Sequence, residues 1–137
     1  MDDCEFIERF EDCTLPEDRF HHVDHVRLAW LYLSRQPLVQ ALERFTTGLK
    51  RFAAAAGKPG RYHETITWAY LFLIHERLAR DARPRSWEEF IADNPDLRVW
   101  DRAVLGRYYR SETLDSSLAR RIFVLPDGGI ERQGKIG

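Results

Sequence analysis

Several things are scarce in this chain, and each shortage removes a class of protein. Cysteine occurs only at Cys4 and Cys13, nine positions apart and with no CxxC pair, which removes a zinc ribbon and a thioredoxin-like motif. On one helix the two would stand roughly 13 Å apart along the axis, too far for a disulfide. Free thiols point to a reducing cytoplasm. Net charge is almost nil, with 21 Lys+Arg against 22 Asp+Glu, so the broad basic footprint of a non-specific nucleic-acid binder is missing. The longest apolar run, Ile66 to Ile74, is interrupted by Thr67 and falls far short of the ~20 residues of a membrane span. The opening Met1-Asp2-Asp3-Cys4-Glu5 is acidic and lacks the apolar core of a signal peptide. The expectation is a soluble, cytoplasmic protein with neither nucleic acid nor membrane as partner.

What is plentiful is apolar and aromatic. Of 137 residues 44% are hydrophobic, including four Trp and eight Phe, which suffices for one core and leaves no room for a second. The apolar positions recur with helical period. Phe6, Ile7 and Phe10 predict a short first helix over 3–12. A second helix ends before Pro37 and starts either at the capping-box pattern Thr14-Leu15-Pro16-Glu17 or near His22. Leu38, Leu42, Phe45, Leu49, Phe52 and Ala56 alternate in steps of four and three between Pro37 and Gly57, the clearest helix of the chain. After the Lys58-Pro59-Gly60 turn a fourth helix runs from about His63 to Ala82. Ser86-Trp87-Glu88-Glu89 opens a short helix that Asn94-Pro95 stops. Two more are predicted over 99–109 and 113–125, and Trp30, Trp68 and Trp100 read as core. The fold expected is all-α, an irregular antiparallel helical bundle of about six to seven helices. It forms a single domain over 1–126, with a flexible tail over 127–137.

Two polar tracts each run into an apolar helix: His21-His22-Val23-Asp24-His25-Val26-Arg27 and Tyr62-His63-Glu64-Thr65-Ile66-Thr67. Short connections favour antiparallel neighbours, so two reversals bring both tracts to one end of the molecule. His22 and His25, three apart, share a helical face with Val26, Ala29 and Leu33, while His21 and His25 are an alternative pair one turn apart. His63, Thr67 and Tyr70 line up in the same way on the fourth helix.

Three chemistries fit this pattern. In the first, His22, His25 and His63 bind a divalent transition metal (Zn, Fe, Ni or Cu), and Glu64 moves a proton or completes the coordination. Tyr109 and Arg27 then orient a small anionic substrate. Neither HExxH nor paired Glu-x-x-His is present, so no diagnostic spacing supports the metal. In the second, a His63–Glu64 neighbourhood holds a general base near neutrality. Thr67 and Tyr70 supply hydrogen bonds, and an arginine (Arg27, Arg61, Arg107 or Arg110) grips a carboxylate or phosphate. In the third, the histidines only cap and pack helices, Thr65 is a cap residue, and the chain is a non-catalytic ligand-binding or protein-interaction module. The partner expected is a small-molecule ligand, and the apolar faces leave a homodimer open. The corner over 105–114, with Tyr108, Tyr109, Arg107 and Arg110, reads as structural.

The strings Phe20-His21-His22-Val23-Asp24-His25-Val26-Arg27-Leu28-Ala29-Trp30, Tyr62-His63-Glu64-Thr65-Ile66-Thr67 and Arg107-Tyr108-Tyr109-Arg110-Ser111-Glu112-Thr113-Leu114 resemble those of a family of small bacterial all-helical proteins with no known function. The resemblance covers most of the chain and implies a bacterial origin. It transfers no activity, cofactor or catalytic residue.

Overall fold

The computed structural model describes residues 1–99 and 104–128. The protein is all-α, with seven α-helices and no strand among the described residues. No described helix is long and apolar enough to cross a membrane.

Helix α1 (Asp3–Glu11) starts where the Asp2 carboxylate accepts the Glu5 N–H at 2.8 Å, and buries Phe6 and Phe10. It ends at Asp12, after which Cys13 takes a left-handed conformation with φ 64°. Thr14 then hydrogen-bonds to the Asp12 carboxylate through both its N–H and its hydroxyl. The capping-box pattern over 14–17 therefore opens no α-helix, because its hydroxyl is spent on the preceding turn. Glu17–Arg19 is a single 3₁₀ turn, and α2 (His22–Arg35) starts at the later of the two predicted positions. There Asp24 accepts the His21 N–H at 2.9 Å, satisfying a backbone donor that the helix itself leaves open.

Pro37 opens α3 (Leu38–Ala55), and Gly57, with φ 75°, follows its end. Gly48 is where α1 meets α3 closely: an added Cβ would come within 2.7 Å of Phe10 Cζ. A 3₁₀ turn, Pro59–Arg61, leads to α4 (Glu64–Arg80). The predicted reciprocal cap forms at α5 (Trp87–Asp93), where Glu89 N–H donates to Ser86 Oγ and Ser86 N–H donates to Glu89 Oε1. The core is built on α2, which packs against both α3 and α4, with α1 on α3. Trp30 is buried and Trp68 partly so.

The last third departs from expectation. Of the helix predicted over 99–109, residues 100–103, including Trp100, lie outside the described residues, and the remainder forms one 3₁₀ turn, Leu105–Arg107. Both Tyr108 and Tyr109 donate their N–H to Leu105 O, and Arg110 is already extended, so no further turn is added. The helix predicted over 113–125 is two short ones, α6 (Ser111–Leu114) and α7 (Ser117–Arg121). Ser116 separates them by capping α7, accepting the Ala119 N–H at 3.0 Å. Ile122 is extended, and the chain has no regular secondary structure from there to Gly128. It is fixed to α4 by Thr65, which is fully buried, donates to Ile122 O at 2.7 Å and accepts from Val124 N–H at 3.0 Å. Thr65 is therefore a cross-brace and no cap. The first residues of the predicted tail are also tied down. Asp127 accepts from Arg110 N–H and from the Thr113 hydroxyl, and Gly128 N–H donates to Tyr108 O.

Candidate functional site

The two histidine tracts share a cavity of about 630 Å³. Its wall is assembled from the start of α2 (His22, His25, Val26, Ala29), the middle and end of α3 (Phe45, Leu49, Phe52, Ala53) and the start of α4 (Ile66, Thr67, Tyr70). Its mouth is marked by the solvent-exposed charged residues of the lining: Glu17 on the 3₁₀ turn Glu17–Arg19, Lys58 and Arg61 at the turn Pro59–Arg61, and Arg120 near the end of α7. The face read from the sequence, His22-His25-Val26-Ala29, turns as a unit toward this space. Helical spacing explains why: positions three and four apart point the same way.

Each histidine has its own environment. His25 lies over the Phe20 ring, with centroids 4.1 Å apart, and Phe20 in turn contacts Phe52 and Phe10. Burial lowers the His25 pKa from 6.5 to about 4, with smaller contributions from the charges of His22 and His21. At neutral pH its imidazole is uncharged, so one ring nitrogen donates and the other accepts. His22 meets the Tyr70 ring edge-on at 5.2 Å. His63 is buried and is the N-cap of α4: its Nδ1 accepts the Ile66 N–H at 3.1 Å. The proton must then sit on Nε2, which faces the Leu114 carbonyl at 2.8 Å. Both nitrogens of His63 are thereby committed to backbone groups.

That commitment leaves the metal reading without support from His63. Ligation by His63 requires giving up either the cap or the bond to Leu114. Among the described residues no group of three or more His, Cys, Asp or Glu side chains is placed to hold a metal ion. His22 and His25 both line the cavity, and His63 lines it with its two ring nitrogens turned to backbone groups.

The remaining predicted residues divide. Thr67 lines the cavity. Glu64 lies off its wall, accepting the Tyr62 hydroxyl proton at 2.6 Å, with Lys50 Nζ 3.8 Å away. Burial first, and then Glu64, push the Tyr62 phenol far above its ordinary pKa. Arg27 is on another face of α2, paired with Asp3 and lying over the Phe6 ring at 4.8 Å. Tyr109 belongs to the corner after α5, where its hydroxyl donates to Val124 O at 2.7 Å. It borders a separate cavity of about 130 Å³ between α4 and the segment after α7. Neither Arg27 nor Tyr109 reaches the histidine cavity.

Sequence reasoning missed most of the mouth. Glu17 Oε2 receives Lys58 Nζ at 2.7 Å and Arg61 Nη1 at 2.9 Å, while Arg120 donates to the carbonyls of Gly60 and Tyr62. Arg61 was legible as an anion grip because it sits just before the second histidine tract. Lys58 read only as part of a turn, and Arg120 approaches from sixty positions away. The aromatic floor, Phe45 and Phe52, was legible as buried but not as bordering space. Compared with known proteins, the chain matches no family model, no curated protein and no solved structure.

Proposed function

We propose that this chain binds a small molecule with a largely apolar body, held in the cavity between α2, α3 and α4. The observation that carries the reading is the cavity itself. At about 630 Å³ it falls inside the ~300–1,000 Å³ range of small-molecule sites. Aromatic and aliphatic side chains wall it, and a few polar groups punctuate it, which is the usual composition of such sites. A neutral His25 offers the ligand one hydrogen bond without the cost of burying a charge. Binding is favoured over metal-dependent catalysis because His63 has both ring nitrogens engaged and Glu64 faces Tyr62 rather than the cavity.

The test uses neutral apolar probes, 1-octanol and 2-naphthylmethanol, titrated calorimetrically into the whole chain. Saturable binding at one site per chain is expected. Ala53→Phe, which projects a ring from α3 into the cavity, should abolish it without lowering the melting temperature. Absence of binding by either probe, or binding that Ala53→Phe leaves intact, overturns the reading.

A further inference from the structure

The cavity's mouth is charged in a lopsided way. Among its described lining residues Glu17 is the only acid, against three cations, Lys58, Arg61 and Arg120. Arg120 donates to the backbone carbonyls of Gly60 and Tyr62, and no ion pair joins it to a carboxylate among the described residues. Lys58 and Arg61 converge on one oxygen of Glu17. The two ion pairs join the 3₁₀ turn Glu17–Arg19 to the turn Pro59–Arg61 across the opening.

We infer that the ligand of this cavity carries a carboxylate, and that Glu17 is the chain's own stand-in for it, yielding Lys58 and Arg61 when the ligand enters. The inference rests on the binding reading above and adds the chemical class of the ligand. Three observations support it. First, the side chains of Glu17, Lys58 and Arg61 are 44%, 44% and 65% exposed. Ion pairs so open to water are weak, and exchanging one carboxylate for another leaves the charge count at the two cations unchanged. Second, Glu17 is an exposed residue on a single 3₁₀ turn between α1 and α2, outside any α-helix. It can therefore swing out without unwinding an α-helix. Third, Lys58 and Arg61 hold the Glu17 carboxyl below its ordinary pKa, as they would hold that of a ligand at the same place. Direct ion pairing with a lysine and an arginine is also how proteins commonly grip carboxylates.

The experiment compares matched acids and alcohols: octanoate with 1-octanol, and 2-naphthoate with 2-naphthylmethanol. Each pair is titrated into the wild-type chain, Glu17→Gln and the double variant Lys58→Gln/Arg61→Gln at low salt. The acids should bind more tightly than their alcohols. Glu17→Gln, which removes the internal competitor, should tighten the acids about threefold or more and leave the alcohols within twofold. The double variant should weaken the acids about tenfold, again without moving the alcohols. All three substituted positions are exposed, and matching thermal melts will show that the fold is kept. Alcohols that bind as well as acids, or a Glu17→Gln effect that is nil or equal for both, overturn the carboxylate inference and leave the cavity reading standing. Failure of every probe overturns the cavity reading beneath it.

Discussion

His63 and Leu114, fifty-one positions apart, are joined by a hydrogen bond of 2.8 Å from imidazole Nε2 to backbone carbonyl. The same ring caps α4 by accepting the Ile66 N–H. One side chain thus starts a helix and fastens α6 to it. His63→Ala removes a cap worth about 1 kcal/mol and strands a buried carbonyl at a further cost of about 1–3 kcal/mol. A loss of about 2–4 kcal/mol in urea unfolding is expected. His63→Asn, which keeps only the cap, should recover about 1 kcal/mol of it. A loss below 1 kcal/mol for His63→Ala would show that the ring does not brace these elements.

Thr65 fixes the segment after α7 to α4. Its hydroxyl donates to Ile122 O and accepts from Val124 N–H, with no solvent exposure at all. Thr65→Val keeps the shape but leaves two backbone groups without their partner, for a predicted cost of about 2–4 kcal/mol. Thr65→Ser preserves both bonds and loses one methyl, so it should cost about 1 kcal/mol. Equilibrium unfolding of the pair decides the matter. Equal losses in the two variants would mean that packing of the methyl matters and the hydroxyl does not.

The long helices and the shared histidine end were legible because both follow from local rules. The four-and-three alternation on α3 and the His22-His25-Val26-Ala29 face need only helical spacing. The bringing together of the tracts needs only two short connections. What was not legible depends on partners distant in the chain. Nothing near His63 in sequence says that Leu114 will receive its second nitrogen, and that bond is what makes the ring a brace. Glu64 beside His63 suggested joint chemistry, yet His63 is the extended N-cap and Glu64 the first helical residue, and Glu64 turned to Tyr62 and Lys50. The pattern over 113–125 had helical spacing, but Ser116 had a capping role to play and the residues from Ile122 had a tertiary partner in Thr65. Periodicity registers neither competitor.

His25 makes stability depend on pH in a defined direction. Its folded pKa, about 4, lies below the ordinary 6.5 because burial disfavours the imidazolium, and His22 and His21 add repulsion. Between those values the unfolded chain binds a proton that the folded chain refuses. The contribution is therefore constant above pH 6.5, falls as the pH is lowered toward 4, and levels off below. The gap sets a ceiling of about 3 kcal/mol at about 1.36 kcal/mol per pH unit. Urea unfolding of wild type and His25→Leu across pH 4–8 isolates the effect from that of the carboxylates. The leucine variant should gain relative to wild type as the pH drops through this window. A difference that is flat with pH would place the ordinary imidazole pKa in the folded state and show that burial does not hold the ring neutral below pH 6.5.

Arg27 and Tyr109 read from the sequence as substrate-gripping groups, and their positions predict another outcome. Arg27 joins α2 to α1 through Asp3 and the Phe6 ring. Its side chain is only 23% exposed, and Asp3 is 45% exposed, so the loss on Arg27→Ala should come as much from packing of the stem as from charge. About 1 kcal/mol is expected. Tyr109→Phe removes the bond to Val124 O, in a group whose pKa burial raises to about 12, and should cost about 1 kcal/mol. Neither side chain borders the histidine cavity. Both variants should therefore bind 2-naphthylmethanol and 2-naphthoate within twofold of wild type while unfolding at lower urea concentration. Tenfold weaker binding in either variant, with stability unchanged, would move the binding site away from the cavity between α2, α3 and α4. It would place it instead along α1 for Arg27, or in the smaller cavity beside Phe123 for Tyr109.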